Sequence, residues 1–267
     1  MSRISGKFKE LKRNNRKGFI AYLTAGDPDL DSTRRLILEF DRRGVDVVEL
    51  GIPFSDPLAD GPVIQEASQR ALEKGISIGQ ILDVVADLRQ KTEIPIVLFT
   101  YFNPVHNYGL DRFGHDVQAV GVDGVLVLDL PPEEGKDYKR VMDDRMVDTV
   151  FLLTPTSRED RIRLISEWSR GFIYYVSRTG VTGEREDLEG TIGSKVKKIR
   201  TYTSKPIAVG FGISKPSQSG EVGRHADAVV VGSAIVRQIG ELSNQPDMVD
   251  RVGGFVGTLI EPLKGGA

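Results

Sequence analysis

Residues 45–51 read VDVVELG and run straight into IPFSDPLADGPVIQ, residues 52–65. Bounded by Gly44 and Gly51, the first seven residues form an apolar, β-branched run, the pattern of a buried strand. Within it stands Glu49. A carboxylate on a buried strand costs several kcal/mol, roughly, unless it is paired, protonated or used. A solvated strand end is the plain explanation for one such residue, but the following loop, with Pro53, Pro57, Asp56 and Asp60, is unusually stiff and acidic. Alternation along the run places Val45, Val47 and Glu49 on one side.

Similar runs recur along the chain. Strands are expected at 18–25 (GFIAYLTA), 45–51, 95–101 (PIVLFTY), 122–130 (VDGVLVLDL), 147–154 (VDTVFLLT), 171–177 (GFIYYVS), 205–212 (KPIAVGFG) and 226–233 (ADAVVVGS). Between them lie segments such as DSTRRLILEFDRRG and GQILDVVADLRQKT, with apolar residues at helical spacing. Nearly continuous apolar strands imply burial on both faces, as in a parallel sheet covered by crossover helices. Eight such units predict an α/β fold, a closed (β/α)8 TIM barrel. A doubly wound open sheet is the alternative, but no G-x-G-x-x-G follows the first strand. With no composition break or linker, residues 1–267 read as one domain, carrying an extra N-terminal helix whose Ile4, Phe8 and Leu11 share a face.

The chain has 36 Lys and Arg against 38 Asp and Glu, a net charge of −2 that offers no electrostatic case for nucleic acid or an anionic membrane. No run approaches the ~20 apolar residues of a bilayer span. The start is basic but has no apolar core of a secretory signal, so a cytoplasmic location is expected. Cysteine is absent, which removes disulfides, thiolate catalysis and cysteine metal sites.

In a barrel of this kind the strand C-termini face the catalytic mouth. Reading them brings together Thr24, Glu49, Thr100 to Asn103, Asp129, Thr154, Ser177 with Arg178, Gly210 to Gly212, and Gly232 with Ser233. Glu49 in an apolar wall should hold its proton to higher pH than a solvated loop carboxylate, which suits divided acid and base roles. GFGIS and VGSAIV, after the last two strands, put bare glycine backbone before a helix start, the usual barrel phosphate site. SRTGVTGEREDLEG adds three glycines and two threonines. Each glycine pair alone is more often a tight turn; three such loops in succession point to a phosphorylated small molecule. No lysine occurs at a strand end for a Schiff base, Lys205 lying at the opposite end of its strand. His106, His115 and His225 lack ligand spacing, so no metal is expected. Trp168 lies on a helix and has no expected catalytic role. What remains is cofactor-free acid/base chemistry on a phosphate ester.

LGIPFSDPLADGPVIQ resembles, almost letter for letter, the signature of the tryptophan synthase α subunit family. IAYLTAGDPD, NPVHNYG, VDGVLVLDLPPEE, FLLTPTS, YYVSRTGVTG, GFGIS and VVVGSAIV follow in that family's order, so the resemblance spans nearly the whole chain. It implies a (β/α)8 barrel and a lyase that cleaves indole-3-glycerol phosphate into indole and glyceraldehyde 3-phosphate, in tryptophan biosynthesis. By resemblance Glu49 is the acid/base and Asp60 the carboxylate meeting the indole N–H, while Asp56 orders the loop or meets a partner. Gly183, Gly212, Gly232 and Ser233 match phosphate-holding positions. Tyr22, Ile64, Phe99, Tyr101, Leu126 and Tyr174, with Phe211, match the indole pocket; for Leu126 and Ile64 ordinary core is the competing explanation. Phe99 departs from the leucine of some relatives. Arg178 and Thr182 match a lid loop. The resemblance also implies a partner, a β subunit in an α2β2 complex met through residues 53–60 and 129–134, which receives the indole and carries the pyridoxal phosphate that this chain lacks. Two other readings stay open: a catalytically weak allosteric or scaffolding subunit of the same complex, and another phosphate-binding barrel such as indole-3-glycerol phosphate synthase.

Overall fold

A computed structural model describes residues 2–177, 188–210 and 212–265. Its strands are β1 (Gly18–Thr24), β2 (Val47–Gly51), β3 (Ile96–Thr100), β4 (Gly124–Val127), β5 (Asp148–Val150), β6 (Leu152–Leu153), β7 (Ile173–Val176), β8 (Ile207–Gly210) and β9 (Ala228–Val231). Every pairing is parallel, in the order β5-β4-β3-β2-β1-β9-β8-β7-β6. The two ends of that order are one extended segment. β5 pairs with β4, β6 pairs with β7, and the Phe151 carbonyl between them accepts the Tyr174 N–H at 3.3 Å. The ring therefore closes as a (β/α)8 barrel, with the fifth expected strand divided where it changes partners.

Helices α1 (Arg3–Arg13), α2 (Leu30–Arg43), α3 (Pro62–Glu73), α4 (Ile78–Leu88), α5 (Phe102–Tyr108), α6 (Leu110–Ala119), α7 (Lys136–Asp144), α8 (Glu159–Trp168), α9 (Leu188–Arg200), α10 (Pro216–Gly223), α11 (Ser233–Leu242) and α12 (Met248–Lys264) complete the described chain. Strand alternation splits the core in two. Phe19, Ala21, Leu23, Val48 and Leu50 pack outward against the helices. Ile20, Val47, Val97, Leu126, Val150, Ala208 and Ala228 fill the lumen. Val45 does not join Val47 and Glu49 on the inner side; it packs in the outer layer. Gly44 caps α2 in the left-handed conformation and the Val45 N–H still bonds the Phe40 carbonyl at 3.0 Å, so strand alternation starts only at Val47.

The N-terminal helix closes the bottom of the barrel. Ser2 caps it, and Ile4, Phe8 and Leu11 enter the lumen cluster, with the Phe8 ring 5.8 Å from Phe172. A repeated device holds the strand entrances together. Asp46, Asp123 and Asp227 each stand one residue before a strand, and each accepts the first free N–H of the preceding strand: Phe19 at 2.9 Å, Ile96 at 2.8 Å and Ile207 at 2.8 Å. The fifth strand has Asp148 instead, whose carboxylate accepts the Ser2 hydroxyl of α1 at 2.5 Å.

Candidate active site

Glu49 sits on the inner face of β2, in register with Tyr22 of β1 and Val97 of β3. It is 1% exposed, and neither carboxylate oxygen has a hydrogen-bond partner. Burial alone pushes its pKa up to about 8, since nothing nearby compensates a charge there. Glu49 forms part of the wall of a cavity of about 240 Å3 at the C-terminal ends of the strands. Tyr22, Phe99, Ile64 and Tyr174 line the same cavity, and Tyr22 meets Phe99 edge-on at 5.1 Å. Two glycines make room for the tyrosines: a Cβ on Gly51 would lie 2.2 Å from the Tyr22 hydroxyl, and one on Gly210 would lie 2.7 Å from that of Tyr174.

Asp60 reaches the cavity from the loop between β2 and α3. A turn bonds its N–H to the Pro57 carbonyl at 3.0 Å, and the Gln65 amide donates to its own carbonyl at 2.7 Å. Pro62 then starts α3 immediately after the loop, where a missing N–H costs nothing. The Tyr101 hydroxyl donates to Asp60 Oδ2 at 3.0 Å and accepts the Ala59 N–H at 3.0 Å, while its ring packs on Phe54 at 5.2 Å. Tyr101 thus ties two consecutive loop residues to the end of β3. Burial raises the Asp60 carboxyl to about 6, with the Tyr101 hydrogen bond acting against it. At neutral pH the cavity consequently holds one protonated and one charged acid, and Tyr22 and Tyr174 both lie in the field of the pair.

Across the cavity stand Gly212, Gly232 and Ser233. Gly212 adopts φ +48° with open space where a Cβ would be. Gly232 precedes α11 without a side-chain cap, so the first amides of that helix face an end that no side chain fills. Such an end attracts an anion. Gly183, Arg178, Thr182 and Phe211 lie outside the described residues.

Two expected wall residues sit elsewhere. Leu126 is fully buried in the lumen core, one layer below the cavity, and Leu128 and Leu152 line the wall instead. The strands of a closed barrel are tilted and staggered, so a level layer climbs by two residues relative to the pairing register. Phe99 pairs with Leu126, but its neighbour at the level of the cavity is Leu128. Tyr101 is not on the wall either; it acts on the site through Asp60. Leu128, Leu152, Val176, Ile213 and Val230, none of them singled out by sequence, also line the cavity. Alternation combined with the stagger was the available signal for the strand residues. No lysine or histidine lines the cavity, and no cluster suited to a metal occurs among the described residues. Lys205 bonds the Ser166 carbonyl at the far end of the barrel. Among the described residues no helix is long and apolar enough to cross a membrane.

Comparison with known proteins agrees with this geometry. The family model described as tryptophan synthase alpha chain matches residues 8–261. The tryptophan synthase alpha chain of Geotalea uraniireducens is 51% identical over 264 residues, covering 99% of this chain and 98% of that one. That of Geobacter sulfurreducens is 50% identical over 263 residues, covering 98% and 99%. Among solved structures, tryptophan synthase subunit alpha from Legionella pneumophila superposes with a TM-score of 0.91 at 34% identity, covering 98% of each chain. A chain of tryptophan synthase from Mycobacterium tuberculosis gives 0.89 at 30% identity, covering 99% of this chain and 100% of that one. With a barrel closed around a buried glutamate and matches of this extent, the chain belongs to the tryptophan synthase alpha chain family.

Proposed function

We propose that Glu49 and Asp60 together perform the family's reaction in this cavity, the cleavage of indole-3-glycerol phosphate to indole and glyceraldehyde 3-phosphate. The observation that carries this reading is the unlike state of the two acids: Glu49, unpartnered and pushed up to about 8, and Asp60, pushed up only to about 6. Breaking the bond between indole C3 and the glycerol chain requires a proton on C3, which puts positive charge on the ring nitrogen. Glu49 enters protonated and delivers that proton. Asp60, charged, stabilises the nitrogen cation most as it forms. The Glu49 carboxylate then takes the proton from the adjacent glycerol hydroxyl as the carbonyl forms, returning the acid to its starting state. The apolar faces of Phe99, Leu128 and Leu152 suit the indole ring. Gly212, Gly232 and Ser233 suit the phosphate at the opposite end.

The partner surface follows the same reading. Leu58, on the loop that carries Asp60, is a large apolar side chain left 94% exposed. Residues 53–60, with 129–134, are therefore assigned to docking a β subunit in an α2β2 assembly. Pyridoxal phosphate is assigned to that partner; among the described residues no lysine lines this cavity.

The test is indole release from indole-3-glycerol phosphate by the purified chain with its β subunit. Glu49→Gln should lower turnover by about 10²-fold or more while substrate still binds, the usual worth of general acid/base catalysis. Near-normal turnover in that variant removes Glu49 from the chemistry. No release by the unaltered pair leaves a scaffolding subunit.

A further inference from the structure

At the end of the barrel opposite the active-site cavity, α1 and the segment entering β8 enclose a second cavity of about 220 Å3. Phe8, Leu11 and Pro206 supply an apolar floor. Lys12, Arg16, Lys17 and Arg200 stand around it, against a single acid, Asp227. Four cations about one small concavity are a local excess in a chain whose net charge is −2.

The acid is already engaged: Asp227 Oδ2 accepts the Ile207 N–H at 2.8 Å and the Arg200 guanidinium at 2.6 Å. Lys17 donates to the neutral Ala226 carbonyl at 3.1 Å and is in no ion pair among the described residues. Lys12, exposed on α1, is in no ion pair among the described residues. Arg16 is half-buried and lies in the field of the Asp46 carboxylate, but its Nε is enclosed without a hydrogen-bond partner. A buried donor left unmade costs free energy that a bound acceptor nearby can offset by reorienting the fork. Alongside lies a wider cavity that shares Phe8, Lys12, Ser204 and Pro206 and adds Lys9, Arg170 and Lys205 against Asp148, with Arg170 already paired to Asp143 at 2.9 Å. The Lys205 ammonium is held below its ordinary pKa by burial and then by the Lys139 and Arg170 charges, as expected where cations crowd.

We propose that the smaller cavity is a second anion site, taking a phosphate-bearing small molecule with its phosphate among Lys12, Arg16 and Lys17 and its organic body on Phe8, Leu11 and Pro206. Guanidinium and ammonium groups about a concave floor match the geometry of a phosphate better than that of a lone halide. The ligand would bridge α1 to the entrance of β8 and so brace the floor of the barrel.

Calorimetric titration of the full chain with inorganic pyrophosphate and, separately, with adenosine monophosphate tests this. Saturable binding of both is expected, tighter for the nucleotide because it covers the floor. Lys12→Ala and Arg16→Ala should each weaken it about tenfold, the scale of one charge-assisted hydrogen bond. Lys12 is exposed, so its replacement leaves the fold intact and keeps the test valid should Arg16→Ala be unstable. The binding weakened in Lys12→Ala should persist in Gly212→Asp, which removes only phosphate held at the mouth. Binding that survives Lys12→Ala but disappears in Gly212→Asp assigns the phosphate to the mouth and overturns the proposal. So does unsaturable uptake matched by sulfate at equal ionic strength, or no heat at all. A nucleotide that binds no tighter than pyrophosphate removes the organic body from it.

Discussion

Replacing Glu49 by Gln should stabilise the protein, by an amount that grows with pH. Burial raises the Glu49 carboxyl from 4.5 to about 8. Between those values the unfolded chain is ionised at this position while the folded chain keeps the proton, so folding must take one up. A group whose folded pKa is raised contributes stability that is complete below the unfolded pKa and is lost as pH rises through the folded one. Glutamine cannot ionise in either state, so the variant escapes the loss. Its amide is nearly isosteric with the protonated acid, and both leave their polar atoms unpartnered, so that cost cancels to first order. At about 1.4 kcal/mol per pKa unit, the variant should gain ~1 kcal/mol near pH 5 and ~4 kcal/mol near pH 8. Urea unfolding of both proteins, followed by far-UV circular dichroism across that range, measures the difference directly, and the titration of every other group cancels in it. A difference that stays flat with pH would falsify the assignment of a buried, proton-bearing Glu49, whatever the variant does to turnover.

Tyr101→Phe removes the hydrogen bond that opposes burial at Asp60, so the Asp60 pKa should rise above about 6 and the acid limb of kcat/KM should move to higher pH; an unmoved limb separates Tyr101 from Asp60. Gly212→Asp should weaken glycerol phosphate analogues by about tenfold or more, measured by calorimetry, because it places a carboxylate where a dianion is proposed, and an aspartate tolerates the left-handed backbone there. Unchanged affinity in the folded variant moves the phosphate elsewhere. Gly51→Ala should cost about 1–3 kcal/mol in denaturant unfolding, as overpacking does, since its Cβ would lie 2.2 Å from the Tyr22 hydroxyl. Only part of that loss should be recovered in combination with Tyr22→Phe, because the ring Cζ would still lie 2.7 Å from the added Cβ, and a fully additive pair contradicts the clash with the hydroxyl.

The barrel was legible because its strands are apolar on both faces and its helices on one. Each of the eight expected runs contains strand, and Ile4, Phe8 and Leu11 do share the buried face of α1. Glu49 was legible for the opposite reason, as a charge where the pattern forbids one. The division at Phe151 was not, because a change of hydrogen-bonding partner leaves no mark on side-chain type. Leu126 is named by resemblance alone; Leu128 shares its alternation, and only the stagger of the closed sheet puts Leu128 rather than Leu126 at the level of the cavity. Tyr101 reads as an aromatic strand end, and its hold on Asp60 needs the loop folded back over it. The aspartates at 46, 123 and 227 repeat visibly in VDVV, VDGV and ADAV, yet their meaning depends on which strand lies beside each.

The divided fifth strand gives the barrel a clasp. Its two halves are the shortest staves in the ring, three and two residues long, and no aspartate ties the entrance of the next one. The N-terminal helix lies across that gap, with Ser2 on Asp148 and Phe8 on Phe172. A segment early in the sequence therefore fastens a joint formed by residues well over a hundred positions later. An affinity tag fused just ahead of Ser2 would press on this buckle, whereas one placed after the last turn of α12 would leave it untouched.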